Sequence, residues 1–455
     1  MLRKNITILI IILSIILLVF FGYVFLSGKS VNNTVTPVVN NFISYFPFGK
    51  TKLQTPTNTN PTDISGYTPS TDNTTPQKQK LNRVSSMPIA GFTIYKKEIF
   101  KEVPDILPTP ATETNPTDTA TSPIQKIATK IKTAIKPTAP ATEFVPAVKY
   151  IAKENGNIYQ TLASRIDERR FTTTIIPRVH DAYFGNNGDT VVMRYLKSDN
   201  KTIETFVGNL PKEVIGGDTT SDTSVQGIFL PEDITDYSIS PDTSKIFYLF
   251  NLNENSIGIS SDILNNKKSQ IFTSAFNEWL TQYPNDKMVT LTAKPSAFAP
   301  GYMYSIDPDK KDFNKILSNI NGLTTLTSPN GKMVLYGNSN MSLNIYSTGT
   351  LTSKTLSMKT LPEKCVWSKN NDFIYCSVPE FLNSGSYPDD WYQGLVSFTD
   401  QIWKIDTVTG SGSLIADLPT IGGDIDGTQL ATDEGENYLY FVNKKDSYLW
   451  ELNLK

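Results

Sequence analysis

Histidine and cysteine are almost absent: the 455 residues hold one His and two Cys. That excludes a multi-His metal centre, Cys-rich zinc and iron–sulfur sites, and a dense disulfide framework. A surplus of either charge is absent as well. There are 42 Lys and Arg against 44 Asp and Glu, whereas a general nucleic-acid binder shows a clear basic excess. Catalytic signatures are missing too. The chain has no G-x-S-x-G elbow and no Cys in a nucleophile setting. His180 precedes Asp181, a pairing suited to general-base work, but a lone pair reads more simply as a structural or surface His. The 28 prolines are too many for a helix-rich protein. Length alone suggests roughly three domains.

One long apolar run is present. Residues 6–27 carry no charge and are mostly Ile, Leu, Val and Phe. At 1.5 Å per residue such a run crosses the roughly 30 Å hydrocarbon core. A cleaved signal peptide has a shorter apolar region of about 7–15 residues and an Ala-x-Ala-like site behind it. Neither feature is found, and no Cys follows that would mark a lipoprotein. The expectation is an uncleaved single-pass helix that is the chain's contact with the membrane. Arg3 and Lys4 lie before it, so residues 1–5 form a cytoplasmic tip and everything beyond is extracytoplasmic. The cluster Phe42, Tyr45, Phe46 and Phe48 suits either the outer membrane interface or an apolar patch of linker.

Thr and Pro crowd two stretches, 51–80 and 104–142. Such composition buries too little apolar surface to offset chain entropy, so both are expected to be disordered. The first belongs to a stalk over 28–79. The second belongs to an insertion over 101–143. Within it, Ile124, Ile127, Ile131 and Ile135 recur at helical spacing opposite Lys126, Lys130, Lys132 and Lys136. A basic amphipathic stretch of this kind binds anionic membranes or partner grooves, but an isolated helix this short is marginal.

The remainder reads as all-β. A strand, a small polar turn and a strongly apolar strand recur, as in FGNNGDTVVMRY from Phe184, SISPDTSKIFYLF from Ser238 and LTSPNGKMVLYG from Leu326. The turns start at Gly185, Ser240, Tyr283, Ser328, Ser368 and Thr432. A period of about 40–45 residues with four strands per unit is the signature of propeller blades. Six units follow from Val179. A seventh is split: MPIAGFTIYKK from Met87 supplies its first strand, and AVKYIAKENGNIYQTL with RRFTTTI supplies the other three. The last unit ends at YLWELNLK without a fourth strand, and KLNRVSS from Lys80 completes it. One N-terminal and three C-terminal strands then close the ring and remove its open edges. The accounting gives a seven-bladed β-propeller over 80–455, with six and eight blades left open.

Ser240-Pro241-Asp242 and Ser328-Pro329-Asn330-Gly331 stand before apolar strands, and Gly156-Asn157-Ile158-Tyr159 precedes Arg169-Arg170-Phe171-Thr172. These segments resemble the WD-repeat-like repeats of TolB-like propellers, although only two units carry the motif well and the Trp-Asp ending of true WD repeats is absent. The resemblance implies a propeller serving as a binding platform; a fold alone does not fix an activity.

Three features remain as candidate sites. Asp424-Ile425-Asp426-Gly427 and Asp307-Pro308-Asp309 have a brief calcium-loop look, but they lack ligands at alternate positions and a closing Glu; both read as ordinary turns. No metal or other cofactor is expected. With Asn370-Asn371 as a two-residue turn, Cys365 falls opposite Cys376, and an extracytoplasmic site permits a disulfide there; two buried thiols are the other reading. The insertion PEFLNSGSYPDDWYQGLVSFTD combines Tyr387, Asp389, Asp390, Trp391 and Tyr392 with Phe398. Aromatic faces beside carboxylates suit a sugar, a peptide or a cation, unless the loop packs on its own propeller. The resulting expectation is a monomeric, non-catalytic propeller that binds or scaffolds an envelope or surface protein and no nucleic acid. The alternative is a propeller that binds or cleaves envelope polysaccharide through Asp389 and Asp390.

Overall fold

A computed structural model describes residues 80–101, 140–163, 165–215, 223–263 and 267–455. The expected membrane helix at 6–27, the stalk at 28–79 and nearly all of the insertion, 102–139, lie outside the described residues. Among the described residues no helix is long and apolar enough to cross a membrane.

The described residues form seven four-stranded antiparallel sheets, the blades of a propeller. Blade 1 is Ile89–Phe100, Thr142–Ala152, Ile158–Leu162 and Arg169–Arg170. Blade 2 is Val179–Gly185, Thr190–Leu196, Ile203–Asn209 and Gln226–Phe229. Blade 3 is Ile234–Ile239, Lys245–Leu252, Asn255–Asp262 and Lys268–Ser274. Blade 4 is Trp279–Asn285, Met288–Ala293, Pro300–Ile306 and Phe313–Asn321. Blade 5 is Thr324–Thr327, Met333–Gly337, Ser342–Ser347 and Thr352–Lys359. Blade 6 is Cys365–Trp367, Phe373–Pro379, Asp400–Asp406 and Gly412–Asp417. Blade 7 is Gly427–Thr432, Tyr438–Asn443 and Leu449–Asn453, completed by Leu81–Arg83 from the other end of the chain. That closing strand pairs Leu81 with Leu452 and Arg83 with Trp450.

Both faces of each blade are covered by neighbours, which explains the continuous apolar second strands. Ile246, Phe247, Tyr248 and Leu249 are all buried in succession, as a strand shielded on both sides requires. The turns leading into them share one device. Ser240, Ser328 and Ser368 each turn a side-chain oxygen onto the first backbone N–H of the next strand, at Lys245, Met333 and Phe373. A residue at positive φ completes each turn: Thr243, Gly331 and Asn371. In blade 7 the carboxylate of Asp433 takes the serine's place and accepts from the Tyr438 N–H.

Blade 1 departs from its sequence reading in two respects. Its first two strands run on to Phe100 and from Thr142, so part of the expected insertion 101–143 is ladder. Its fourth strand shrinks from RRFTTTI to Arg169–Arg170. Phe171 leaves the strand because it is drawn into the core shared by blades 1 and 2, where it is 1% exposed.

Alternating strand direction sorts the connections. Links between blades, and between second and third strands, lie on one face of the ring, called here the upper face. Links between first and second strands lie on the lower face.

Candidate functional site

The candidate loop joins the second and third strands of blade 6 on the upper face, where blade 3 has only Asn253 and Glu254 between Leu252 and Asn255. Its single helical turn, Asp389–Tyr392, follows a cis Tyr387–Pro388 bond. The sequence-predicted residues are held together, but most of their binding groups point inward. Tyr387, Trp391 and Phe398 are buried with Met341 and Leu361 in one cluster. The Tyr387 hydroxyl donates to the Asn383 carbonyl at 2.9 Å. Asp390 accepts from the Ser386 N–H at 2.8 Å, and Asp389 accepts from the Ala297 N–H of a blade 4 loop at 2.6 Å. Tyr392 donates to Glu363. The loop packs on its own propeller, and both carboxylates that the polysaccharide alternative needs are already engaged.

Its outer surface is apolar. Phe381 and Leu395 are 75% and 71% exposed, and Phe298, next to the Ala297 that Asp389 holds, is 79% exposed. Single exposed apolar residues are ordinary; three on two joined loops form a candidate contact surface. Two surface clefts, of about 630 and 720 Å³, lie instead along blade 1 and between blades 1 and 7. None of the five predicted residues lines either one.

Beneath the loop is a cluster that the sequence reading missed. Lys364, Asp400 and Asp426 have fully buried side chains. Lys364 enters blade 6, Asp400 leaves the loop and Asp426 enters blade 7, so the ring topology brings them together. The Lys364 ammonium donates to Asp400 at 2.7 Å, to Asp426, and to the Gly427 carbonyl at 3.1 Å. It also lies 5.5 and 5.4 Å from the Trp391 and Phe398 rings. Asp426 gathers the loop: Trp391 Nε1 at 3.0 Å, the Phe398 N–H at 3.0 Å and Ser397 Oγ at 3.2 Å all donate to its Oδ2. Asp400 Oδ2 accepts from the Gly427 N–H at 2.7 Å, while its Oδ1 is buried without a partner among the described residues.

The two carboxylates therefore differ. Burial alone would raise Asp426, but Lys364 and the loop donors outweigh it and hold Asp426 below the usual carboxylate range. Burial raises Asp400 to about 6, against the weaker pull of Lys364. Reading Asp424 to Gly427 as one ordinary turn is thus incorrect for Asp426. Asp424 is exposed and pairs with Lys445 at 2.5 Å; Asp426, two residues on, is interior. Asp307 does form a turn, accepting from the Asp309 and Lys310 N–H groups. Among the described residues no group of three or more His, Cys, Asp or Glu is placed to hold a metal ion.

Cys365 and Cys376 face each other in the register that Asn370-Asn371 sets, 4.1 Å apart at Cα, and are joined as a disulfide. The bridge ties the strand that begins after Lys364 to the strand that leads into the loop. Asp181 turns to Arg194, 3.5 Å away, and His180 beside it is exposed.

The class defined by fold and site is a seven-bladed β-propeller with a braced loop on its upper face. No family model matches the chain, and no curated protein matches it. Similar solved structures include an oligogalacturonate lyase in complex with manganese, at 9% identity and a TM-score of 0.47, covering 68% of this chain and 85% of that one. An oligogalacturonate lyase from Vibrio parahaemolyticus is similar at 11% identity, with the same TM-score and coverage. TolB from Acinetobacter baumannii is similar at 12% identity and a TM-score of 0.37, covering 68% of this chain and 76% of that one. The propeller assignment here rests on the strand pairing itself.

Proposed function

We propose that the protein is a membrane-anchored, extracytoplasmic binding or scaffolding module. In this reading, residues 6–27 hold it in the membrane and the upper face of the propeller meets a protein partner at the cell envelope. The observation that carries the reading is the character of the 380–399 loop. It is braced from beneath by Asp426, Asp389 and Asp390 are engaged, and it presents Phe381 and Leu395 beside Phe298. A fixed apolar patch suits a hot spot in a protein interface. Glycan cleavage normally uses two carboxyl groups roughly 5–9.5 Å apart across a substrate, and the adjacent, engaged Asp389 and Asp390 do not offer that.

Crosslinking and co-purification from membranes test this. Phe298→Ser, Phe381→Ser and Leu395→Ser together should remove a crosslinked species seen with the unaltered chain. A replacement of Asp389, Asp390 and Trp391 should leave glycan binding and hydrolysis unchanged at background. An unaltered crosslink pattern in the first variant would defeat the upper-face reading, and glycan hydrolysis by the unaltered chain would establish the alternative.

A further inference from the structure

A buried cluster of one ammonium and two carboxylates carries a net negative charge in a site with no exposure. Such a charge is costly unless it is neutralised or fully paired. Asp426 is fully paired: both of its oxygens accept donors, from Lys364, Trp391, Ser397 and Phe398. A proton there would displace one of them. Asp400 Oδ1 has no partner among the described residues. Ser377 Oγ, another buried oxygen without a partner among the described residues, lies on the Gly427 side of the cluster and does not bond Asp400 Oδ1. A Cβ added at Gly427 would stand 2.3 Å from Ser377 Oγ and 3.7 Å from Asp400 Oδ2. The site therefore has one open position for a proton, at Asp400 Oδ1.

We propose that Lys364, Asp400 and Asp426 form an acid-tightened clasp on the 380–399 loop. The cluster takes up one proton at Asp400 Oδ1 on mild acidification and in that state holds the loop most firmly. The loop shields the cluster, because Trp391 and Phe398 lie against Lys364 and bond to Asp426. Opening the loop hydrates Asp400, returns it toward an ordinary carboxylate and releases the proton. Acid therefore opposes opening.

Other charged groups surround the cluster, and Asp400→Asn separates its response from theirs. Lys444 stands 4.9 Å from the Trp391 ring, Glu363 bonds to Tyr392, and Asp424 pairs with Lys445 at the outer edge. Burial raises Glu363, while its bond from Tyr392 opposes that rise. The sign follows from linkage. Asp400 is raised in the folded protein to about 6, so its stabilisation is present below the unfolded carboxylate range and is lost as pH rises through 6. Between pH 7.5 and 5.5 that amounts to an opening constant about fourfold smaller in acid. The proposal concerns how the loop is held and stands whether or not the upper face meets a partner.

Amide hydrogen exchange on the full chain, corrected for the intrinsic chemical rate, measures it. Amides within 380–399 should show an opening constant about fourfold lower at pH 5.5 than at pH 7.5. Asp400→Asn, which keeps the shape and cannot titrate, should abolish the difference. Asp236→Asn removes the other buried carboxylate raised to about 6, on the first strand of blade 3, and should retain the difference. A loop whose corrected exchange is flat with pH in the unaltered chain overturns the proposal. So does a response that survives Asp400→Asn or disappears with Asp236→Asn. Should Asp400→Asn not fold, the unaltered chain and Asp236→Asn still decide.

Discussion

Blades 3 and 6 have the same four strands and opposite upper edges. Blade 3 passes from Leu252 to Asn255 through Asn253 and Glu254, both at positive φ, in a turn braced locally by Asn255 Nδ2 donating to the Asn253 carbonyl at 3.1 Å. Blade 6 passes from Pro379 to Asp400 through a long loop that closes on Lys364, Asp400 and Asp426. The difference teaches that a propeller tolerates a long connection readily, because loop-closure entropy grows slowly with length. Fixing that connection in one conformation is a separate problem. Here polar groups contributed by three different segments address it, with apolar rings layered over them.

Breaking the clasp should have the largest effect. Lys364→Ala leaves two buried carboxylates without their cation, and losing one partner of a buried ion pair costs about 3–5 kcal/mol. Denaturant unfolding should show that loss, with increased exchange in 380–399 and little local change around 253–254. A loss below 1 kcal/mol would mean that the apolar cluster alone holds the loop. Truncating the closing strand with Leu81→Ala tests the frame that both blades share. Leu81 is buried in the core with Leu452, and Leu→Ala in a core costs about 2–5 kcal/mol. The penalty should lower the melting temperature without changing loop exchange selectively. Removing the bridge with Cys365→Ser and Cys376→Ser closes no loop in the unfolded chain; for cysteines 11 residues apart the entropy argument gives about 2–3 kcal/mol. Because the bridge sits between Lys364 and the loop, loop exchange should rise as well, and equal exchange before and after would separate bridge from clasp. The smallest effect belongs to blade 3. Glu254→Gly relieves a left-handed residue and should stabilise by about 1 kcal/mol in the urea midpoint, with no change at 380–399.

Much of this fold was legible in the sequence because its signals are local and repeated. Small polar turns before apolar strands recur from blade to blade, built on serine in blades 3, 5 and 6, and two orphan strands near the N-terminus matched two gaps in the count. The blade 6 loop was visible as a unit with its aromatic residues and acids. What it would do with them was not visible, since Asp389 is engaged by the backbone of Ala297, a blade 4 residue distant in sequence. The clasp left no pattern at all. Lys364, Asp400 and Asp426 belong to no period, each looks like a surface charge in its own segment, and only the ring topology brings them together. Asp424 and Asp426 show the limit sharply: one is a surface partner of Lys445 and the other a buried anchor. The shortened fourth strand of blade 1 was hidden for a similar reason, because Phe171 answers to a core built from two blades.

The closing strand also sets a clock. Leu81 must find Leu452, so the propeller's first strand in the chain waits for its last. Until then the edges of blade 7 and the faces of blades 1 and 6 beside it stand open, and pairing between such distant segments is slow. During that interval the chain carries unpaired strand edges of the kind that favour association between molecules. Completion of the ring is therefore late in the making of the propeller, and the vulnerable period of the propeller is the one before it.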